Sequence, residues 1–298
     1  MTKRIGKLAI YFLLICIGYI YLEPIMEMIS KSLMSTEDII DPSVNWIALH
    51  PTLENFGVAA RVLKIPKSLI NSIGLSAGLA VLQTVVAAMT GYALSRYKFR
   101  GKGFWFAMIL LSFIVPVTVL MIPRLMIFIS AQSTFGIQLI GTPIPQILMA
   151  VLGQGINGTI LILIFWNFFN LIPYSLDEAA MIDGAGAFRV FYHIAVRLSF
   201  STVLIVFLFA FVWNWNETYQ TATYLGGTMD LLPLRLSTFD SMFSSNASSG
   251  MGSEGMYKIN EAYKMAATLI SIAPLLLLYA CVQKQFIQGI ENTGITGE

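Results

Sequence analysis

Long runs without a charged side chain alternate with short polar links along most of this sequence. A helix needs about 20 mostly apolar residues to cross the hydrocarbon core of a bilayer. Five uncharged stretches reach or approach that length, and a first helix with two internal glutamates adds a sixth. In chain order, the predicted spans are 8–33, 68–95, 103–123, a segment within 144–172, 198–216 and 265–283. The pattern therefore predicts an all-α membrane protein with six transmembrane helices.

Composition agrees with this prediction and excludes other classes of protein. Of the 298 residues, 56% are hydrophobic and 11% charged, and the mean hydropathy is +0.74, whereas about a quarter of residues are charged in soluble proteins. A net charge of +2 is too small for a nucleic-acid-binding surface. Cys16 and Cys281 lie in apolar stretches, which favours small buried side chains over a disulfide or a metal site.

The basic residues predict the orientation in the membrane. Lys3, Arg4 and Lys7 precede the first apolar run, and Glu23-Pro24 follows it in place of a cleavage site, so we expect a retained helix. Four more basic residues crowd the short link between the second and third spans: Arg96, Lys98, Arg100 and Lys102. Basic links lie on the cytoplasmic side, although the longer loop before the second span also carries three basic residues. We therefore expect both termini and the segment 172–199 in the cytoplasm, and the connection 220–260 outside.

Two domains follow from this arrangement. Residues 1–67 are expected to form an N-terminal transmembrane helix with an extracytoplasmic loop. Residues 68–298 are expected to form the transmembrane core.

The segment 172–199 is a polar island between two apolar spans. The sequence Ser-Leu-Asp-Glu at 175–178 fits a capping box, in which Ser175 and Glu178 bond to each other's backbone amides. A helix is then expected through Ile182, with a break at Gly184 and a second helix from about Ala187. The alternative is an ordinary interfacial loop in which Glu178 only caps a helix.

The island carries a family resemblance. Glu178-Ala179-Ala180 followed by Asp183-Gly184-Ala185 resembles the cytoplasmic EAA loop of permease subunits from binding-protein-dependent ABC importers. The flanking Ile172-Pro173 and Leu176 are similar to the carbohydrate branch, the maltose-type permeases. The resemblance implies that these six residues couple the permease to an ATPase, with Glu178 docking into that subunit and Gly184 forming the turn. Arg197 and Ser201 stand where the family often has proline.

The resemblance also implies function and partners. It implies a non-catalytic permease subunit that moves a sugar or oligosaccharide across the cytoplasmic membrane. The partners would be a second, distinct permease, two ATPase subunits that bind ATP and Mg²⁺, and an extracytoplasmic sugar-binding protein. No Walker A sequence occurs in this chain, so no cofactor is expected in it. The alternatives are another delivered solute such as glycerol phosphate, or an ion-driven secondary transporter, which would need charged residues within its spans.

The end of the fifth span holds candidates for the substrate route. Aromatic faces suit sugar rings, and amide or carboxylate groups suit sugar hydroxyls. The candidates are Trp213, Asn214, Trp215, Asn216, Glu217 and Tyr219. The equally weighted alternative is an aromatic belt at the outer interface.

A dinucleotide-binding fingerprint also occurs, with Gly153, Gly155 and Gly158. It lies inside an apolar span rather than after a strand, so close helix packing or a local break is the preferred interpretation.

Overall fold

The computed structural model describes residues 2–44, 46–248 and 261–295, and this part of the chain is helical with no strand. The helices, in order, are α1 (Thr2–Leu33), α2 (Thr36–Ile40), α3 (Glu54–Val62), α4 (Lys67–Arg96), α5 (Lys102–Ile114), α6 (Val117–Phe135), α7 (Ile144–Val151), α8 (Gly158–Leu171), α9 (Tyr174–Ile182), α10 (Ala187–Val190), a π-helical turn (Phe191–Ala195), α11 (Val196–Leu198), α12 (Phe200–Asn216), α13 (Tyr219–Leu225), α14 (Leu232–Ser237), α15 (Phe239–Ser248) and α16 (Glu261–Ile295). The predicted all-α class is confirmed.

The membrane-length helices agree with a count of six spans. Four are long and apolar enough by themselves: Gly6–Leu33, Lys67–Arg96, Val117–Phe135 and Glu261–Lys284. Two more arise if each of two bent pairs counts as one span, namely α8 with α9, bent by 74°, and Ala187–Leu198 with α12, bent by 81°. In both pairs, the bend falls at an end of the polar island.

The predicted third span, 103–123, is wrong in its boundaries. Helix α5 ends at Ile114, Val115 is extended (φ −72°, ψ 120°), and Pro116 caps α6. The residue before a proline avoids helical angles because it would clash with the proline ring. The apolar helix of spanning length in this region is therefore Val117–Phe135, and α5 is a shorter apolar helix.

The contacts within the chain divide it into two units. The first joins the residues up to Ser68 with Arg235–Pro274. Within it, the Asn55 amide donates to the carbonyls of Ser32 and Met34, and the buried Arg235 guanidinium donates to the Val62 carbonyl at 2.6 Å. Residues 249–260 of the long connection lie outside the described residues.

The buried Asp38 carboxylate holds the loop after α1 in the first unit through two contacts with His50. The backbone N–H of His50 donates to Asp38 Oδ2 at 2.9 Å, and its Nδ1 lies 3.0 Å from Oδ1. The backbone hydrogen bond from His50 is the main cause that holds the pKa of Asp38 below its usual value.

The second unit contains Leu69–Leu234 and Leu275 onward. Its core is aromatic: Phe165 and Phe169 are fully buried and stacked, and Tyr92 meets Phe169 edge-on. Gly91 lets α4 approach α8, since a Cβ there would lie 2.7 Å from the Phe165 Cβ. Cys16 and Cys281 are exposed, so the expectation that they are buried is wrong; both lie on helices of spanning length, where lipid replaces a protein core.

Candidate functional site

The polar island is a helical hairpin that turns at Gly184. Helix α9 ends at Ile182, and Gly184 adopts a left-handed conformation (φ +84°), which residues with a side chain adopt only at a cost. The start of the helix differs from the prediction. Pro173 precedes α9, no side chain caps it, and Ser175 lies inside the first turn, so the predicted capping box is wrong.

The hairpin exposes the motif. Glu178, Ala179, Asp183 and Gly184 are exposed, and Ala180 and Ala185 are partly buried. Beside them, the apolar side chains of Ile182 and Phe188 are 85% and 72% exposed. Small residues, a free carboxylate and exposed apolar side chains together are typical of a surface that a protein partner covers.

The second half of the island is irregular. After α10, residues Phe191–Ala195 form a π-helical turn, and α11 ends where Ser199 leaves helical geometry. The Ala195 carbonyl accepts hydrogen bonds from both the backbone N–H of Ser199, at 3.0 Å, and the Ser199 hydroxyl, at 2.7 Å, so the side chain adds a second bond within its own turn of helix. Arg197, which stands where the family often has proline, is exposed. The bend between the island and α12 is therefore formed without a proline at that position.

Contacts of Arg96 join the first half of the island to the end of α4. Its Nε lies 3.0 Å from Asp177 Oδ2, and the two side chains are 3% and 5% exposed. Its Nη2 donates to the Ile172 carbonyl at 2.8 Å, and its guanidinium lies 4.4 Å above the Tyr174 ring. The Tyr174 hydroxyl in turn donates to the Ser95 carbonyl at 2.9 Å. These contacts join α9 to the end of α4.

A second polar cluster lies along the helices, away from the island. Asn214 on α12 donates to Gln83 Oε1 on α4 at 3.3 Å, and both side chains are buried. Gly155, between α7 and α8, faces the Gln83 side chain so closely that a Cβ would lie 2.3 Å from its Nε2. Gln83 and Asn214 each lie about 20 Å along their helices from Arg96 and Phe200, a distance shorter than the thickness of a hydrocarbon core, which is about 30 Å.

The segment between α7 and α8 interrupts an apolar span. Gly153 (φ +73°) and Asn157 (φ +50°) are left-handed, and Gly158 packs against the Gly153 carbonyl. The fingerprint glycines thus form a helix break, as preferred above. The neighbouring Gln154 accepts a hydrogen bond from Arg124 Nη2 at 3.1 Å. Irregular backbone at membrane depth occurs only where it is buried in protein or lines a cavity.

Two small cavities flank the Gln83–Asn214 pair. One, with about 10 Å³ of space, lies between Gln83 and the glycines of the helix break. The other is a partly open cleft of similar size, whose lining includes Ser72, Ser76, Asn214, Trp215, Glu217 and Thr221. Hydroxyl, amide and carboxylate groups in one cleft can hydrogen-bond a polyhydroxylated solute.

Comparison with known proteins decides the family. The family model of the binding-protein-dependent transport system inner membrane component matches residues 83–292. The chain belongs to this family. The permease is 26% identical over 296 residues to the osmoprotective compounds uptake permease protein GgtD of Synechocystis sp., covering 97% of this chain and 92% of that protein. It is 27% identical over 283 residues to the diacetylchitobiose uptake system permease protein NgcG of Streptomyces coelicolor, covering 95% and 86%.

A solved structure agrees on the fold. The crystal structure of a bacterial ABC transporter involved in the import of the acidic polysaccharide alginate contains a similar chain. The TM-score is 0.74 and the identity 22%, over 96% of the permease and 98% of that chain. These findings confirm the resemblance drawn from the Glu178–Ala185 motif, and they make the permease a multi-pass inner-membrane transport component rather than an enzyme.

The six residues predicted to line the substrate route of the permease differ in burial and in their contacts. Asn214 and Trp215 are buried, and Trp215 is stacked on Phe211 at a centroid distance of 5.8 Å. Trp213 is half-buried against Phe209. Glu217 accepts a hydrogen bond from the Gln220 backbone at 2.8 Å, which satisfies an amide at the start of α13. Asn216 and Tyr219 are exposed. The role of these residues in transport stays a prediction.

The sequence alone does not predict the ion pair between Arg96 and Asp177 that holds the island to α4. In the sequence, Arg96 serves only as one of the basic residues that indicate orientation, and Asp177 only as a member of the Ser-Leu-Asp-Glu segment. The signal available was the position of Asp177, next to the exposed Glu178 but on the other face of a short helix. Nothing in the local sequence indicates that its partner comes from the end of the second span.

Proposed function

We propose that the permease moves a sugar or oligosaccharide across the cytoplasmic membrane as one of two permease subunits driven by two ATPases. ATP and Mg²⁺ bind to the ATPases and not to this chain. An extracytoplasmic solute-binding protein delivers the substrate. In the described part of the chain, no group of His, Cys, Asp and Glu side chains suits a metal ion.

The observation that carries this proposal is an exposed hairpin that an ion pair joins to α4. Glu178 and the small residues around the Gly184 turn are free to enter a cleft of an ATPase, while Asp177 on the same helix is held by Arg96. When the ATPases close, the hairpin moves and α4 moves with it. Because α4 also carries Gln83, the motion reaches the Asn214 region, where the route would open alternately to either side.

The position of the hairpin also supports the orientation in the membrane proposed from the sequence. The hairpin must face the cytoplasm to meet an ATPase, and Arg96 brings the basic link 96–102 to the same side. Both termini are then cytoplasmic. Residues 1–67 comprise α1 and an extracytoplasmic loop, and residues 68–298 form the core.

Carbohydrate is the favoured substrate class for two reasons. The relative from Streptomyces coelicolor is named for the uptake of diacetylchitobiose, a carbohydrate. The cleft at Asn214, Trp215 and Glu217 also combines an aromatic ring with hydrogen-bonding groups, as sugar recognition requires. Asn214 is the strongest candidate among the predicted route residues because it joins this cleft to Gln83.

Reconstitution tests the energy source. The permease should be purified with its partner permease and ATPases, placed in liposomes with the solute-binding protein, and assayed for uptake of labelled disaccharides. We expect uptake only with Mg-ATP, unchanged when proton and sodium gradients are collapsed. Uptake by the permease alone, driven by an ion gradient, would instead establish the secondary-transporter alternative.

A further inference from the structure

Arg124 is an isolated charge within a membrane-length helix. It is the only charged residue in the sequence between Lys102 and Asp177. It lies in α6, which is long and apolar enough to cross the membrane. A charged side chain at membrane depth is costly, so such residues face the interior of a bundle or an aqueous route and mark functional sites. The position therefore needs an explanation.

Among the described residues, no acidic side chain forms an ion pair with Arg124. Its recorded hydrogen bond is to the Gln154 amide oxygen at 3.1 Å, and no ion pair with an Asp or Glu side chain is found for it among the described residues. A guanidinium has five N–H donors in a fixed, planar arrangement, so most of its donors remain available. The side chain is partly exposed and can be reached.

The contacts of Arg124 connect it to the helix break and to an apolar cluster. Gln154 belongs to the helix break between α7 and α8, whose next residue, Gly155, lies against Gln83. Arg124 is thus joined through the break to the Gln83–Asn214 pair. On the same helix, Leu125 and Phe128 pack against a buried cluster of Met121, Met149 and Tyr224, and Met121 and Phe128 are three and four residues from Arg124, on the same face of α6. An apolar wall lowers the local dielectric and strengthens the attraction of the guanidinium for an anion.

We propose that Arg124 binds the anionic group of the transported solute, so that the substrate is an acidic saccharide. This inference rests on the proposed function and adds the substrate class. The guanidinium pairs with a carboxylate or phosphate through two parallel N–H bonds, while Gln154, Gln83 and Asn214 contribute amides for hydroxyl groups. A lysine supplies the charge but not the paired geometry.

The test compares acidic and neutral saccharides in the complete reconstituted complex. Labelled digalacturonate, its neutral counterpart galactobiose and sn-glycerol 3-phosphate serve as probes. The variants are Arg124→Gln and Arg124→Lys, and Arg61→Gln, an exposed arginine of the first unit, is the charge-matched control. We expect wild-type uptake of digalacturonate. Arg124→Gln should lower the ratio of acidic to neutral uptake by about 10- to 100-fold, the range for a charged hydrogen bond. Arg124→Lys should lower the ratio less, and Arg61→Gln should leave it unchanged.

The possible outcomes are distinguishable. Uptake of glycerol phosphate that depends on Arg124 would support the anion site and assign it to a phosphate group. Wild-type uptake of galactobiose alone would overturn the acidic-substrate inference and leave the proposed function intact. Equal loss of both saccharides in Arg124→Gln would mean that Arg124 serves structure or binds lipid headgroups. Failure of ATP-dependent uptake for every saccharide, with no uptake of glycerol phosphate, would overturn the proposed function itself.

Discussion

The Arg96 guanidinium and the Asp177 carboxylate form a buried ion pair that joins the end of α4 to α9, with 3.0 Å between Nε and Oδ2. Asp177 Oδ1 and Arg96 Nη1 are buried without a hydrogen-bond partner in the described part of the chain, so the pair is not fully satisfied. Burial of the carboxylate raises the desolvation cost of its charged form, and Arg96 offsets part of that cost. Adjacent Glu178 is exposed. One turn of helix thus presents one carboxylate to a partner and fixes the other to the bundle.

Removing one member of the pair should cost more than removing both. Asp177→Leu leaves an uncompensated buried arginine, which costs about 3–5 kcal/mol. Arg96→Met with Asp177→Leu replaces the pair by apolar side chains and should recover most of that stability. Thermal unfolding of the purified complex in detergent measures both effects. Additive losses in the double variant would show that the two side chains do not act as a pair.

Transport by the double variant tests whether the pair also transmits motion. If a packed contact between α9 and α4 is enough, the stable double variant should transport at close to the wild-type rate per ATP hydrolysed. If the charge pair is needed to carry α4 with the hairpin, ATP hydrolysis should continue while uptake is lost. The measured quantity is the ratio of solute moved to ATP consumed.

Glu178→Lys should abolish uptake and reduce the amount of ATPase that co-purifies with the permease. The exposed carboxylate at the hairpin is the expected docking group, and lysine reverses its charge. Glu37→Lys is the matched control, since Glu37 is an exposed glutamate of α2 in the predicted extracytoplasmic loop. Normal uptake and normal co-purification in Glu178→Lys would remove the docking role from this residue.

Gly184 and Gly186 give a matched pair of variants in the turn. Gly184 is left-handed (φ +84°), whereas Gly186 is extended (φ −69°, ψ 161°), and a Cβ at either position would meet no atom within 4 Å. Gly184→Ala should therefore cost about 1–2 kcal/mol from backbone strain alone, and Gly186→Ala should cost little. We expect weaker ATPase association for Gly184→Ala only. Equal effects of the two variants would indicate that contact with the partner, and not backbone geometry, decides the outcome.

Gly155→Ala should disturb the polar cluster along the spans. The added Cβ would lie 2.3 Å from Gln83 Nε2 and 2.7 Å from its Cδ, so the Gln83 side chain must move away from Asn214. Uptake should fall, and Gln83→Ala in the same chain should remove the clash and restore the fold of the helix break. Gly74→Ala is the control, because a Cβ there meets nothing within 4 Å. If Gly155→Ala transports normally, close approach at the break is not needed for function.

Several expectations that depended only on local signals were accurate, although the capping box at Ser175 was not. Uncharged runs predict the spans seen as α4, α12 and α16, since the transfer free energy of each side chain into lipid is a property of that residue. The turn at Gly184 was predicted from glycine itself. The third span was misplaced because its apolar run was followed through Pro116, although a proline was the available signal for the break.

The sequence by itself determined the membrane class, most of the helical spans and the motif that indicates the family, because hydropathy and motif spacing depend only on residues that are close together in the chain. Only the tertiary structure decided that Arg96 holds Asp177, that Asn214 meets Gln83 and that Arg124 reaches the helix break. Those contacts join residues from different helices, and their partners depend on how the helices pack. A local pattern can indicate that a polar group at membrane depth needs a partner, but the packing of the helices determines which residue becomes that partner.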